Sequence, residues 1–159
     1  MSNDNIVEFC FLAEPTDVNF GGKVHGGMVM KWIDQASYAC AAKWSKRYCV
    51  TVSANGIRFI RPILVGQMVS VTARIIHTGK SSMHIYVVVR SGDPKENKYN
   101  VTNRCFITFM AKDEAGYPTK VQTFIPETEE DKRLEEVAME AKDFAKQLDK
   151  DFEEKLGWK

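Results

Sequence analysis

The sequence predicts an α+β fold in which an antiparallel sheet curls round one long central helix. A strand-like segment is followed by a helix that is apolar on most of its faces, and then by four strand-like segments in series. Most connections between those four segments are short and turn-like, which favours antiparallel neighbours. A helix that is apolar nearly all round is expected to be buried, and a sheet wrapped round it would cover it.

Each element has its own signal. Strands are predicted at residues 6–13, 50–62, 68–77, 83–91 and 101–112. Apolar residues alternate most clearly at Val69, Val71, Ala73 and Ile75, as in a strand with one buried face. The central helix is predicted at residues 27–44, after a glycine-rich loop at residues 17–27. From Pro126 the chain is highly charged, with a sparse apolar stripe, which predicts a helix packed on the body or on a neighbouring subunit.

Length and composition narrow the functional class. The 159 residues fit one main domain, residues 1–125, with a helical extension, residues 126–159. No apolar run approaches the roughly 18 residues of a membrane span, and the N-terminus lacks a signal-peptide layout, so we expect a cytoplasmic protein without a membrane partner. The four cysteines are scattered and the histidines are not clustered, which argues against a metal site or a disulfide scaffold.

Charge is unevenly distributed along the chain. The region from Glu127 onward carries 7 basic and 12 acidic residues, whereas the rest carries 15 basic and 9 acidic residues. A cationic body suits an anionic ligand such as a phosphorylated cofactor, although an ordinary solvated surface is the alternative. No dense basic stripe with interleaved aromatic residues is present, so nucleic acid is not an expected partner.

The segment DVNFGGKVHGGMVMKWID, residues 17–34, has the strongest chemical signal. Its glycines allow a ligand to approach the backbone, and the first N–H groups of the helix have no partners within the helix. Together with the helix dipole they suit an anion or a developing oxyanion. Asp34 adds a carboxylate about two turns into the helix, and Asn19 adds an amide. This combination suits hydrolysis of a thioester or ester by activated water.

Each of these residues also has a structural interpretation. Asn19 could cap a turn, Asp34 could be a structural carboxylate, and His25 could serve positioning or packing. Cys40 and Cys49 are expected to be core residues and not nucleophiles, because no paired base or helix N-terminus is placed beside them.

The pattern of Asn19, Gly22, His25, Gly26, Gly27 and Asp34 resembles the signature of hotdog-fold acyl-CoA thioesterases, in the cytosolic acyl-CoA hydrolase (YciA-like) branch. Residues 50–75, the segment TGKSSMHIYVVV and the segment FIPETEEDKRLEE extend the resemblance over about residues 8–136. It implies a hotdog fold, a helix surrounded by a sheet. It also implies a homo-oligomer: a dimer with sites at the dimer seam, often assembled as a trimer of dimers.

The resemblance assigns roles to individual residues. Asp34 matches the carboxylate that acts as general base or nucleophile, and Asn19 matches the amide that orients water or substrate. The backbone of Gly26 and Gly27 matches the donors to the thioester oxygen, and Thr51 matches a position near the reacting centre. These assignments imply acyl-CoA as substrate and water as second substrate, without a metal or a separate cofactor.

Further residues match positions that contact coenzyme A. Arg61 and the turn Gly79, Lys80, Ser81 and Ser82 match sites of phosphate and pantetheine contact, although the turn could be an ordinary one. His25 matches a position beside the substrate where many bacterial relatives carry Phe, so it cannot be an obligatory acid or base.

The sequence therefore predicts an acyl-CoA thioesterase that forms free acid and CoA. About 10 Å or more of helix separates Gly27 from Asp34, so a single chain could hardly bring Asn19 and Asp34 to the same carbonyl. We therefore expect each site to combine Asn19 of one subunit with Asp34 of the other. The alternatives are a non-catalytic acyl-CoA-binding oligomer and a hotdog acyl-thioester dehydratase. Dehydratases typically pair a catalytic His with a helix Glu or Asp, and the pattern here follows the hydrolases.

Overall fold

The computed structural model describes residues 4–158 and confirms the predicted α+β architecture. Strand β1 (Ile6–Leu12) leads through a short 3-10 helix (Pro15–Asp17) into the central helix α1 (Gly26–Ser45). Helix α2 (Glu129–Leu156) follows the last strand. The remaining strands are β2 (Tyr48–Phe59), β3 (Met68–Thr78), β4 (Ser82–Gly92) and β5 (Asn100–Lys112).

The five strands form one antiparallel sheet in the order β1-β3-β4-β5-β2. β3, β4 and β5 are neighbours in sequence and in space, so the sheet centre is built from hairpins. β1 and β2 are its two edges. Alternate residues of the central strands, such as Val71, Ile85 and Ile107, are buried against α1 in one hydrophobic core.

Helix α1 is buried on only one side of the single chain. Its buried side holds Val29, Trp32, Ile33, Ala36, Ser37, Cys40 and Ala41. Lys31, Asp34, Gln35 and Tyr38 recur at helical spacing and form a second, exposed side. The predicted burial on most faces is therefore wrong for the single chain, because these four residues define a polar and aromatic stripe within an otherwise apolar helix.

Helix α2 packs on the sheet face opposite α1. Thr128 caps its N-terminus in a capping box with Asp131. The guanidinium of Arg74 on β3 forms ion pairs with Asp131 and Glu130, and the Nδ1 atom of His77 lies 3.0 Å from the Glu135 carboxylate. These contacts attach the first two turns of α2 to the body.

Neither helix within residues 4–158 combines the length and the apolarity that crossing a bilayer requires.

Candidate active site

Asp34 and Thr51 form a hydrogen-bonded pair between α1 and the edge strand β2. The Thr51 hydroxyl donates to Oδ1 of Asp34 over 2.6 Å. The register of β2 shifts between Thr51 and Ser53, and a bulge of this kind re-aims the neighbouring side chain. Within the described residues, no donor to Oδ2 of Asp34 is found, so the second carboxylate oxygen is available to a substrate or a water.

An open cavity of about 680 Å³ lies beside this pair. Asp34, Gln35 and Thr51 are polar residues of its lining. The rest of the lining is mainly aromatic or aliphatic, with the rings of Phe9, Tyr38, Tyr48 and Phe109. A cavity lined by a carboxylate together with much hydrocarbon surface suits a ligand that has a polar reacting group and an apolar substituent.

Asn19 lies apart from this cavity, on an exposed turn before α1. Its Oδ1 atom accepts hydrogen bonds from the N–H groups of Gly21, at 2.8 Å, and Lys23, at 3.3 Å. The main chain closes the same turn, because the Gly22 N–H donates to the Asn19 carbonyl. Asn19 therefore caps a turn, as its structural interpretation predicts, and it is not among the residues that line the Asp34 cavity.

His25 is the N-cap of α1. Its Nδ1 atom accepts a 2.9 Å hydrogen bond from the Gly27 N–H, and its carbonyl accepts from Met28 and Val29. This geometry gives His25 a positioning role. It also means that the Gly27 N–H already has a partner, whereas the Gly26 N–H is not used by the cap.

The two predicted coenzyme A contacts lie at opposite ends of the sheet. The turn at residues 79–82 is closed by a 2.9 Å hydrogen bond from Gly79 N–H to the Ser82 carbonyl, and Ser82 pairs with Met110 of β5. The Arg61 guanidinium instead donates to the carbonyl of Val101, near the start of β5. About 30 Å of strand separates Val101 from Met110, so one chain does not bring Arg61 and this turn together.

Three of the four cysteines are buried and fit structural roles, namely Cys40, Cys49 and Cys105. Burial raises the pKa of Cys40 to about 12 and that of Cys105 to about 11, which disfavours the nucleophilic thiolate. Burial also raises the pKa of Cys49. Among residues 4–158, no group of three or more His, Cys, Asp or Glu side chains is arranged to hold a metal ion.

The sequence interpretation missed the aromatic part of the cavity. Tyr38 follows Asp34 by four residues, which places both side chains on one helix face, and this spacing could have identified it. Phe9, Tyr48 and Phe109 come from three different strands, so no local pattern brings them together.

Comparison with known proteins identifies the family. A model of the thioesterase superfamily matches residues 21–98. The uncharacterized acyl-CoA thioester hydrolase YkhA of Bacillus subtilis is 31% identical over 126 residues, which cover 79% of this chain and 73% of YkhA.

Solved structures agree with this match. A hexameric acyl-CoA thioesterase in its apo form is 33% identical, with a TM-score of 0.86 over 91% of this chain and 92% of the other. An acyl-CoA hydrolase from Staphylococcus aureus, solved with butyryl coenzyme A, coenzyme A and coenzyme A disulfide, is 26% identical. Its TM-score is 0.86 over 98% of this chain and 96% of the other. By sequence and by fold, the chain belongs to the hotdog-fold acyl-CoA thioesterase family.

Proposed function

We propose that this chain hydrolyses acyl-CoA to a free carboxylic acid and CoA at the Asp34 cavity. The main observation is the Asp34–Thr51 hydrogen bond at the edge of an apolar cavity. A thioester carbonyl beside the carboxylate would direct its acyl group toward the hydrocarbon lining. The charged CoA portion would remain toward solvent, because burying unpaired charges is costly.

Asp34 acts on the thioester in one of two ways. As a general base, it removes a proton from a water whose oxygen attacks the carbonyl carbon. As a nucleophile, its Oδ2 atom forms an anhydride with the acyl group, which water then cleaves. In both cases the C–S bond breaks, the sulfur leaves as CoA thiolate and takes up a proton, and the acyl group becomes a carboxylic acid. Thr51 holds the carboxylate in place through Oδ1.

The oxyanion needs donors at the helix start. Because the Gly27 N–H donates to His25, the thioester oxygen would either displace that bond or use the Gly26 N–H. Gly26 is therefore the more direct donor, with the positive end of the α1 dipole behind it. About 12 Å of helix separates Gly26 from Asp34, so the Gly26 N–H serves the Asp34 cavity of the other subunit. This mechanism uses only side chains, backbone amides and water.

The site is completed by a second copy of the chain. Asn19 does not line the Asp34 cavity of its own chain, so we place Asn19 of the partner subunit there, across the dimer seam. Exposed apolar side chains support such an interface: Phe20 beside Asn19 is fully exposed, and Val52 on the edge strand β2 is 53% exposed. The hexameric thioesterase that this chain resembles supports a trimer of such dimers.

The Staphylococcus aureus hydrolase gives further support to the three side-chain roles. Its solved variants replace an asparagine, an aspartate and a threonine by alanine. Those three residues are spaced as Asn19, Asp34 and Thr51 are, 15 and 17 positions apart. We also propose that Lys80 and Arg61 contact CoA phosphates, each from a different subunit, because they are far apart within one chain.

The experiment that tests this function is a thiol-release assay with a panel of acyl-CoAs. Hydrolysis frees the CoA thiol, whereas dehydration of the acyl group or simple binding does not. Failure to release thiol from every acyl-CoA, by a protein that still binds them, would show a non-catalytic acyl-CoA-binding oligomer instead.

A further inference from the structure

Tyr38 lies one helical turn beyond Asp34 and lines the same cavity. Four residues of helix advance about 6 Å. Helical side chains lean toward the N-terminus of their helix, and Asp34 and Tyr38 share this lean, so the Tyr38 ring stays about one helical turn from the carboxylate. The ring therefore lies within a short acyl chain's length of a carbonyl held by Asp34.

A second element, the edge strand β2, places an aromatic ring beside Tyr38. On β2, Tyr48 precedes Thr51 by three residues, which is about 10 Å of strand. The Tyr38 and Tyr48 rings are 6.2 Å apart between centroids, and Tyr38 is 6.4 Å from the Phe109 ring. On α1 the tyrosine next to the polar Asp34 is Tyr38, and on β2 the tyrosine next to the polar Thr51 is Tyr48. Since the two rings lie side by side, both elements lead from the polar residue toward the same aromatic group.

We propose that Tyr38, backed by Tyr48, closes the acyl end of this cavity and sets the acyl chain length of the substrate. The inference rests on the proposed hydrolysis at Asp34 and specifies its substrate. An extended chain advances about 1.2 Å per bond, so the distance of roughly 6–10 Å from carbonyl to ring accommodates about five to eight bonds. The preferred substrates are therefore short- to medium-chain acyl-CoAs.

The proposal predicts a defined specificity profile. Each buried methylene contributes binding that corresponds to about a fourfold gain in kcat/KM. The gain stops where the chain end meets the Tyr38 ring, because further methylenes either clash with it or bend back into solvent. kcat/KM should consequently rise from acetyl-CoA to about octanoyl-CoA and then level off or fall.

The test measures kcat/KM for straight-chain acyl-CoAs from acetyl to palmitoyl. Tyr38→Ala should move the maximum to longer chains and raise the ratio of dodecanoyl- to butyryl-CoA turnover by at least tenfold. Tyr38→Leu should give a smaller shift of the maximum. It replaces the alanine variant in this test if Tyr38→Ala is poorly folded. Tyr38→Phe is the matched control and should keep the wild-type profile, because the ring remains.

The outcomes separate the two proposals. Wild-type protein that releases no thiol from any acyl-CoA would overturn the hydrolase function itself. An active wild type whose profile is unchanged in both Tyr38→Ala and Tyr38→Leu would overturn only the role of Tyr38. A wild-type protein that prefers palmitoyl-CoA would also overturn the role of Tyr38.

Discussion

The Thr51 hydroxyl donates a hydrogen bond to the Asp34 carboxylate and thereby connects the central helix to the edge strand of the sheet. Thr51 and Asp34 are 17 residues apart in sequence and belong to different elements. The bond holds Oδ1, and it makes the orientation of the Asp34 carboxylate depend on the placement of β2.

Replacing Asp34 by Asn should abolish most of the activity without loss of the fold. The side chain is exposed and the substitution keeps its size, so we expect little change in thermal stability. kcat should fall by about a hundredfold or more, the effect expected for a positioned general base. Steady-state thiol release checks this, with circular dichroism as the control for folding. If the variant keeps more than half of the wild-type kcat, Asp34 is not the catalytic carboxylate.

Replacing Thr51 by Val removes the hydroxyl donor but keeps the shape of the side chain. We expect kcat/KM to fall about tenfold, which corresponds to one charge-assisted hydrogen bond of about 1.5 kcal/mol. Thr51→Ser retains the hydroxyl and should stay close to wild type. Equal activities in the valine and serine variants would mean that the hydrogen bond does not assist catalysis.

A mixed oligomer can show whether the site is shared between subunits. Asn19→Asp keeps the acceptor that caps the turn while it removes the amide donor, so it separates the two roles of Asn19. Co-expression of Asn19→Asp with Asp34→Ala should restore about a quarter of the wild-type activity, because about half of the dimers are mixed and each has one intact site of two.

Two controls define this experiment. Each variant alone should be inactive, and differential tags should demonstrate that mixed dimers form. If mixed dimers are present and the activity remains at the level of the parents, Asn19 and Asp34 act within one chain.

His84 should make stability depend on pH. Burial, followed by the nearby charges of His77 and Lys142, lowers the pKa of His84 from 6.5 to about 4. The unfolded chain therefore binds a proton at this residue more readily than the folded chain does. The contribution is fully present above pH 6.5 and is lost as the pH falls toward 4, so the free energy of unfolding should decrease across that window.

Urea unfolding at a series of pH values checks this prediction. His84→Asn is the matched variant, because it removes the titration and keeps a polar group near the Thr108 hydroxyl that contacts His84. Its free energy of unfolding should decline less steeply than that of wild type between pH 6.5 and 4. Identical slopes would show that other groups account for the acid sensitivity.

Much of the fold was predictable from local patterns. Alternation identified the strands, and the apolar run identified α1 to within about one residue at each end. The 3-10 helix Pro15–Asp17 was missed, because three residues are too short to show a periodicity. The two bulges of β2 were also not predicted, although Gly56, with a φ of 61°, marks one of them.

The site was less predictable, for a physical reason. Asp34 was singled out as a carboxylate on an apolar helix, yet in the single chain it lies on an exposed side that also carries Lys31 and Gln35. Its hydrogen bond with Thr51 depends on how α1 packs against β2. That packing is set by the whole core, and no pattern within either segment reports it.

The strand order has a consequence for how the protein folds. The hairpins β3–β4 and β4–β5 join segments that are close in sequence, whereas Ile6 pairs with Arg74 and Tyr48 pairs with Lys112. Because loop closure over such distances is entropically costly, chains with this topology fold more slowly than helical bundles of the same length. The edge strand β2, which carries Thr51, takes its place in the sheet by pairing with β5. The proposed site needs Thr51 in that place and also a second subunit, so recovery of hydrolytic activity after dilution from denaturant should follow the formation of the β2–β5 pairing and not that of the central hairpins.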